Sequence, residues 1–193
     1  MHDQLLTHIE RYVKLTDAGR ELIHNSVEHR RYKKKACLLE NGKHCPGNFF
    51  ILKGCVRQYF VNSKLNEQII NFGLENWWIA DQDSLMTGKP ATTCIQAIEE
   101  TEALLLPIKH QAELFAQAPE LETYFRLMMQ RALVASQRRV AMIFNMSDEE
   151  RYRNFVNLFP DFNQRVPQYM VASYLGITPQ FISRLRAKRV SGE

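Results

Sequence analysis

Four residues near the C-terminus, Ala172, Gly176, Ile182 and Leu185, restrict what this chain can fold into more than any other feature. Two short helices that cross closely need a small residue where they touch, and Ala172 supplies it. The turn between them needs a residue that accepts positive φ, and Gly176 follows four positions later. Leu175, Ile177, Ile182 and Leu185 then fill the wedge between the helices. Thr178 is placed to cap the second helix and Pro179 to occupy its first turn. The pattern predicts a helix-turn-helix over 168–189, with its second helix at 178–189. An αα-hairpin with no nucleic-acid role would share this skeleton.

Charge separates the two readings. From Gln164 to Gly192 the chain carries five basic residues, Arg165, Arg184, Arg186, Lys188 and Arg189, and no acidic one. The overall net charge is only +4, because most acids lie upstream, among them Asp81, Asp83, Glu99, Glu100, Glu120 and Asp148 to Glu150. An acid-free basic segment suits a polyanion; a solvated tail is the plain alternative. If Ile182 and Leu185 face inward, Gln180, Ser183, Arg184 and Ala187 face a DNA groove. Arg184 has the geometry to read guanine and Gln180 adenine. Arg186, Lys188 and Arg189 suit phosphates, a role also open to Arg184. Phe181 is either core or an apolar contact to a thymine methyl. Thr178, Gln180, Phe181, Ser183, Arg184, Arg186, Lys188 and Arg189 are therefore the candidate DNA-binding residues.

Upstream, Leu5, Leu6, Ile9, Tyr12 and Val13 recur at helical spacing, with Asp3 placed to cap, and a second short helix begins after Thr16. From about Val27 to Pro107 short β-rich runs alternate with turn signals: 49–53, 56–61, 68–72, 77–80, 94–98 and 103–108. This spacing predicts an all-β sandwich or jelly-roll barrel. Helix returns at Lys109. Pro119, Glu120 and Glu122 then open a long helix running to about Asn145, with Leu121, Phe125, Met128, Ala132, Ala135 and Ile143 near one stripe and Tyr124, Leu127 and Leu133 widening it. A helix of ~25 residues spans about 37 Å, so it is either a spine between domains or a dimer seam. Arg138 and Arg139 interrupt the stripe and argue against a regular coiled coil. Ser147 with Glu150 forms a capping box for a further helix that turns Tyr152, Phe155, Val156 and Phe159 inward and ends at Pro160.

Other function classes find little support. The four cysteines, Cys37, Cys45, Cys55 and Cys94, contain no closely spaced pair, which argues against structural zinc or an iron–sulfur cluster. Reduced, mostly buried thiols are expected. His44 lies beside Cys45, but no histidine pair at ligand spacing accompanies them, so a metal-dependent enzyme on the barrel is disfavoured. No catalytic or metal-binding residue is expected, and the chain is read as non-enzymatic. The first ten residues lack a long apolar run, and no stretch approaches the ~20 apolar residues that cross a bilayer. A soluble cytoplasmic protein is the expectation.

The order of these parts, a helical piece, a β-roll, a long helix and a helix-turn-helix, resembles the cyclic-AMP receptor protein / fumarate-nitrate regulator (Crp/Fnr) family of bacterial transcription factors. Two segments carry the resemblance most specifically. Phe49-Phe50-Ile51-Leu52-Lys53-Gly54-Cys55-Val56-Arg57 is similar to the family's lysine–glycine β-roll hairpin, and Tyr174 to Arg184 to its helix-turn-helix. The resemblance implies an α+β chain: a jelly-roll-like β-roll sensor domain at 1–118, a dimerisation helix at 119–146 and a helix-turn-helix domain at 147–193. It implies a homodimer reading a palindromic site, with double-stranded DNA, a second copy and RNA polymerase as partners and no membrane.

The departures from the family pattern also carry predictions. Cyclic-nucleotide-binding members place Gly-Glu after a strand and an Arg before the next; the Glu holds the ribose and the Arg the cyclic phosphate. Here Ala80 stands at the Gly, Asp81 at the Glu and Ala91 at the Arg, with Lys89 the nearby cation. A cyclic phosphate without a charge-assisted partner loses a strong hydrogen bond, so cyclic AMP is not expected to bind in the usual way. Ala80, Asp81, Asp83, Lys89, Thr92 and Thr93 are the candidate pocket for some other small-molecule effector; a β-roll kept only as a dimer scaffold is the alternative. Cys94 falls in the same stretch and is a candidate for oxidation. The N-terminal cysteine cluster of the iron–sulfur members is missing. The sequence ends at Glu193, so the helix-turn-helix is expected without the usual two-stranded wing. The competing function is a ligand-sensing or protein-interaction β-roll whose C-terminal helices do not read DNA sequence.

Overall fold

The structure is a computed structural model that describes residues 2–191, with the side chains of 163 and 188–191 outside the description. Two helices open the chain, α1 (His2–Glu10) and α2 (Asp17–Ser26). Eight strands follow: β1 (Glu28–Tyr32), β2 (Cys37–Leu39), β3 (Gly47–Lys53), β4 (Val56–Val61), β5 (Glu67–Gly73), β6 (Trp78–Ile79), β7 (Cys94–Ala97) and β8 (Thr101–Pro107). A short helix, α3 (Gln82–Thr87), separates β6 from β7. The C-terminal helices are α4 (Ile108–Gln117), α5 (Pro119–Asn145), α6 (Asp148–Leu158), α7 (Phe162–Arg165), α8 (Gln168–Leu175) and α9 (Pro179–Ser191). The chain divides into two compact units, one of residues 1–60 and 71–131, the other of 61–70 and 132–193.

The strands form two four-stranded sheets, ordered β1-β8-β3-β6 and β2-β7-β4-β5. In the first sheet β3 runs antiparallel to β8 with Phe49 opposite Leu105, Phe50 opposite Leu104 and Ile51 opposite Ala103. Strand side chains alternate faces, so these two strands supply two cores at once. Phe50, Leu52, Leu104 and Leu106 join Leu5, Ile9, Ile23, Leu114 and Leu121 from the helices, whereas Phe49, Ile51, Ala103 and Leu105 join Leu39, Val56, Ile79 and Ile95. Both faces are covered, which explains why 49–52 and 103–106 read as continuous apolar runs. Gly54 turns β3 into β4 with φ +98; a Cβ there would lie 2.6 Å from the Glu100 carbonyl oxygen. Only glycine fits that corner, which accounts for the Lys53-Gly54 signature.

Thr16 caps α2, its Oγ1 accepting from the Gly19 amide at 3.0 Å. Asp3 does not cap α1: the helix starts at His2, and Asp3 sits within its first turn, where a negative charge still suits the amino end. The box at Ser147 is complete, with the Ser147 side chain accepting from the Glu150 amide and the Glu150 carboxylate from the Ser147 amide. On α6 the buried residues are Phe155 and, unlike the expectation, Arg151; Tyr152, Val156 and Phe159 are half-buried. Phe155 meets Phe162 edge-on at 5.2 Å between ring centroids. Together with Ile69, Val166, Met170, Val171, Ala172, Leu175, Ile177 and Ile182 they form the buried apolar set among the described residues of the second unit. No described helix is long and apolar enough to cross a membrane.

Candidate functional site

The helix-turn-helix is built from its turn outward. Helix α8 stops because Gly176 adopts φ 68 and ψ 32, the left-handed region. The Gly176 amide then donates to the Ser173 carbonyl at 3.3 Å and the Ile177 amide to the Ala172 carbonyl at 3.0 Å. This is the Schellman pairing, which satisfies carbonyls that the end of a helix leaves open. Ala172 has no exposed surface, Ile177 is buried beside it, and Ile182 on α9 is fully buried. Thr178 starts α9 by accepting the Phe181 amide at 3.2 Å through Oγ1.

That anchoring decides which side chains α9 presents. Gln180, Ser183, Arg184, Arg186 and Ala187 are exposed, as is Thr178 at the cap; Phe181 and Leu185 are half-buried. The Arg184 guanidinium lies over the Phe181 ring, 5.8 Å from its centroid, so Phe181 supports the arginine. Ser183 Oγ donates to the Pro179 carbonyl at 3.1 Å, which leaves its lone pairs as acceptors. Lys188 and Arg189 continue the helix, but their side chains lie outside the described ones.

Ser173, which the sequence reading passed over, ties α8 to the 67–69 strand segment within the same unit. Its Oγ donates to the Glu67 carbonyl at 3.2 Å and accepts from the Ile69 amide at 3.0 Å. Arg139 donates to the Ile70 carbonyl and lies over the Tyr174 ring at 4.7 Å. No local pattern flags a serine whose partners are backbone groups a hundred residues away.

The six residues proposed to line a β-roll pocket separate into two sets. Ala80, Asp81 and Thr93 are buried, whereas Asp83, Lys89 and Thr92 are exposed. The Asp81 carboxylate is engaged at both oxygens: Oδ1 accepts from the Ser84 amide at 3.0 Å, capping α3, and Oδ2 accepts from Thr93 Oγ1 at 2.6 Å. Gln58, unweighed in the sequence, donates to Thr93 Oγ1 at 3.0 Å and to the Ala80 carbonyl at 3.4 Å. Ala91, expected from the sequence at the family's arginine position, is buried, and its backbone amide donates to the Lys43 carbonyl. A buried cation does sit in the roll, on another strand. Arg57 donates through Nε and Nη2 to Gln96 Oε1 at 3.0 and 2.7 Å and covers the Tyr59 ring at 4.2 Å.

Comparison with known proteins bears on both parts. Residues 29–118 match the model of the cyclic nucleotide-binding domain. Similar solved structures span nearly the whole chain. FixK2 from Bradyrhizobium japonicum is 19% identical with a TM-score of 0.72, covering 86% of each chain. A protein assigned to the Crp/Fnr family of transcriptional regulators in Eubacterium rectale is 17% identical with a TM-score of 0.71, covering 92% of this chain and 85% of its own. The chain has the Crp/Fnr fold. The regulator CLP from Xanthomonas campestris, 13% identical with a TM-score of 0.71, shares it over 92% of this chain and 93% of its own, and is described as responsive to c-di-GMP. The Crp/Fnr fold therefore does not by itself name an effector. None of the curated proteins matches the chain.

Proposed function

We propose that this chain is a sequence-specific DNA-binding transcriptional regulator, a non-enzymatic homodimer that offers one copy of α9 to each half of a palindromic site. The observation that carries the reading is the presentation of α9. Ile182 and the Thr178 cap fix the helix, and Gln180, Ser183, Arg184 and Arg186 stand on its exposed side. Such a helix enters a major groove with its amino-terminal residues on base edges. Gln180 and Arg184 then face bases, and Arg186, with Lys188 and Arg189 from the sequence, faces phosphates. RNA polymerase is the further partner that follows from this role.

In the same reading cyclic AMP is not the effector. The buried Asp81 carboxylate is committed to the α3 cap and to Thr93, and Ala91 brings no cation to a cyclic phosphate. Asp83, Lys89 and Thr92 remain available to a different ligand at the surface of the roll.

Selection of bound duplexes from a random DNA pool tests the proposal. The expected product is a palindrome whose occupancy falls steeply with salt, because each phosphate contact releases a counterion. Absence of binding to any pool member at low salt overturns the DNA reading and favours a protein-interaction role for the C-terminal helices. Calorimetry with cyclic AMP is expected to give no saturable heat at micromolar ligand; a clear isotherm overturns the assignment of Asp81 and Ala91.

A further inference from the structure

Cys37 and Cys94 are far apart in sequence, yet their sulfurs lie 3.4 Å from each other. Strand pairing puts them there. Cys37 on β2 stands opposite Gln96 on β7, and the register shifts between Cys37 and Leu39. Cys94 lies two residues before Gln96 and so shares its face of the strand. A diagonal pair of this kind is ordinarily too far apart for short side chains; here, beside the register shift in β2, the two thiols are in contact. Both are free thiols, Cys37 half-buried and Cys94 buried.

We infer that Cys37 and Cys94 form a dithiol modification site, at which a hydroperoxide produces an intrachain disulfide across β2 and β7. The half-buried Cys37 sulfur attacks the outer peroxide oxygen; the O–O bond breaks, water or an alcohol leaves, and Cys37 becomes a sulfenic acid. The Cys94 sulfur then attacks Cys37 Sγ, the S–O bond breaks, and a second water leaves with the Cys94 proton. Two thiols are oxidised by two electrons and one peroxide is reduced.

Two structural facts favour closure. A disulfide bond is about 2.05 Å long, so the sulfurs must approach by about 1.4 Å. β2 is the edge strand of its sheet, hydrogen-bonded on one side only and three residues long, so it can follow Cys37 without breaking a second ladder. Cys45 Sγ donates to the Gly47 carbonyl at 3.4 Å, Cys55 Sγ to the Val56 carbonyl at 3.9 Å, and both are buried. The first step is slow: burial, and next the Cys94 thiol, push the Cys37 thiol up to about 11, and the thiolate is the nucleophile.

The test is intact and peptide mass spectrometry of the full chain treated with hydrogen peroxide. The expected product has lost two hydrogen atoms, joins the Cys37 and Cys94 peptides within one chain, leaves Cys45 and Cys55 as thiols, and reverts with dithiothreitol. Cys94→Ser is expected to accumulate a sulfenic acid at Cys37 that a 1,3-dione traps. Cys37→Ser is expected to lose the reversible product altogether. A product that gains oxygen without losing two hydrogens overturns the inference. So does a bond between chains, or a reversible product that survives in Cys37→Ser.

Discussion

In the proposed reading, Arg184 is the residue on which base readout turns. It is exposed, lies against Phe181 and belongs to a helix whose buried side is fixed by Ile182. Arg184→Ala is expected to cost ~1–3 kcal/mol and to relax preference at one position of the selected half-site. A uniform loss across all sequences in the same binding assay would place Arg184 on phosphate instead. Away from DNA, His8 carries a pH signature. Its Nδ1 lies 2.8 Å from the Tyr124 hydroxyl, which also accepts from Trp78 Nε1 at 2.8 Å. Burial, and then the charges of Arg11 and Arg131, hold the imidazole below its ordinary 6.5. Above that value His8 is neutral in both folded and unfolded chains and costs nothing. As pH falls through 6.5 toward the depressed folded value, the unfolded chain takes up a proton that the folded one refuses, and stability drops. Thermal unfolding followed across this window is expected to show a shallower decline in His8→Leu than in the native chain. An unchanged slope would mean that other groups set it.

Among the elements, the turn between α8 and α9 is the most exacting. Gly176→Ala meets no neighbouring atom, since nothing lies within 4 Å of the added Cβ, but it must hold φ +68. The penalty is therefore purely conformational, about 1–2 kcal/mol, and is expected as a lower melting temperature with α9 misplaced and operator affinity reduced. Retained affinity in gel-shift titration would show that the turn tolerates the change. This turn was legible in the sequence because Ala172, Gly176, Thr178 and Ile182 each answer a local requirement. The strands around β3 and β8 were legible because both their faces are buried and apolar. Other elements were not. β1, with Glu28, His29, Arg30, Arg31 and Tyr32, carries no apolar alternation and is a strand only because β8 pairs with it. Helix α3 had its signals in plain view, Asp81 before it and Gly88 after it at φ 68. The family resemblance drew Asp81 into a ligand role and hid its capping one. The Cys37–Cys94 contact depends on strand register, which local periodicity does not give.

At the scale of the whole molecule the question is what α5 faces. The sequence grouped Leu121, Phe125, Met128, Ala132, Ala135 and Ile143 into one stripe, but the structure divides the helix. Leu121 and Tyr124 are buried and Phe125 and Met128 pack against the same core. A second row, Met129, Leu133, Ser136, Val140 and Ile143, follows the alternating four- and three-residue spacing of a coiled-coil seam. Its apolar members are exposed at 45%, 59%, 48% and 39%. Arg138 and Arg139 fall outside that row, so they do not interrupt it. In a twofold dimer each seam residue occurs twice, and one substitution acts at two places. Leu133→Glu or Val140→Glu removes two apolar contacts and sets like charges at the interface. We expect a cost of about 3 kcal/mol and a dimer dissociation constant raised ~100-fold. Because both side chains are already exposed in the single chain, circular dichroism and the melting of the β-roll should not change. Sedimentation is expected to show a folded monomer that binds a half-site with salt-dependent affinity but no longer prefers the palindrome. A variant that stays dimeric would move the interface elsewhere. A variant that becomes monomeric yet keeps the palindromic preference would mean that DNA itself, rather than α5, brings the two recognition helices together.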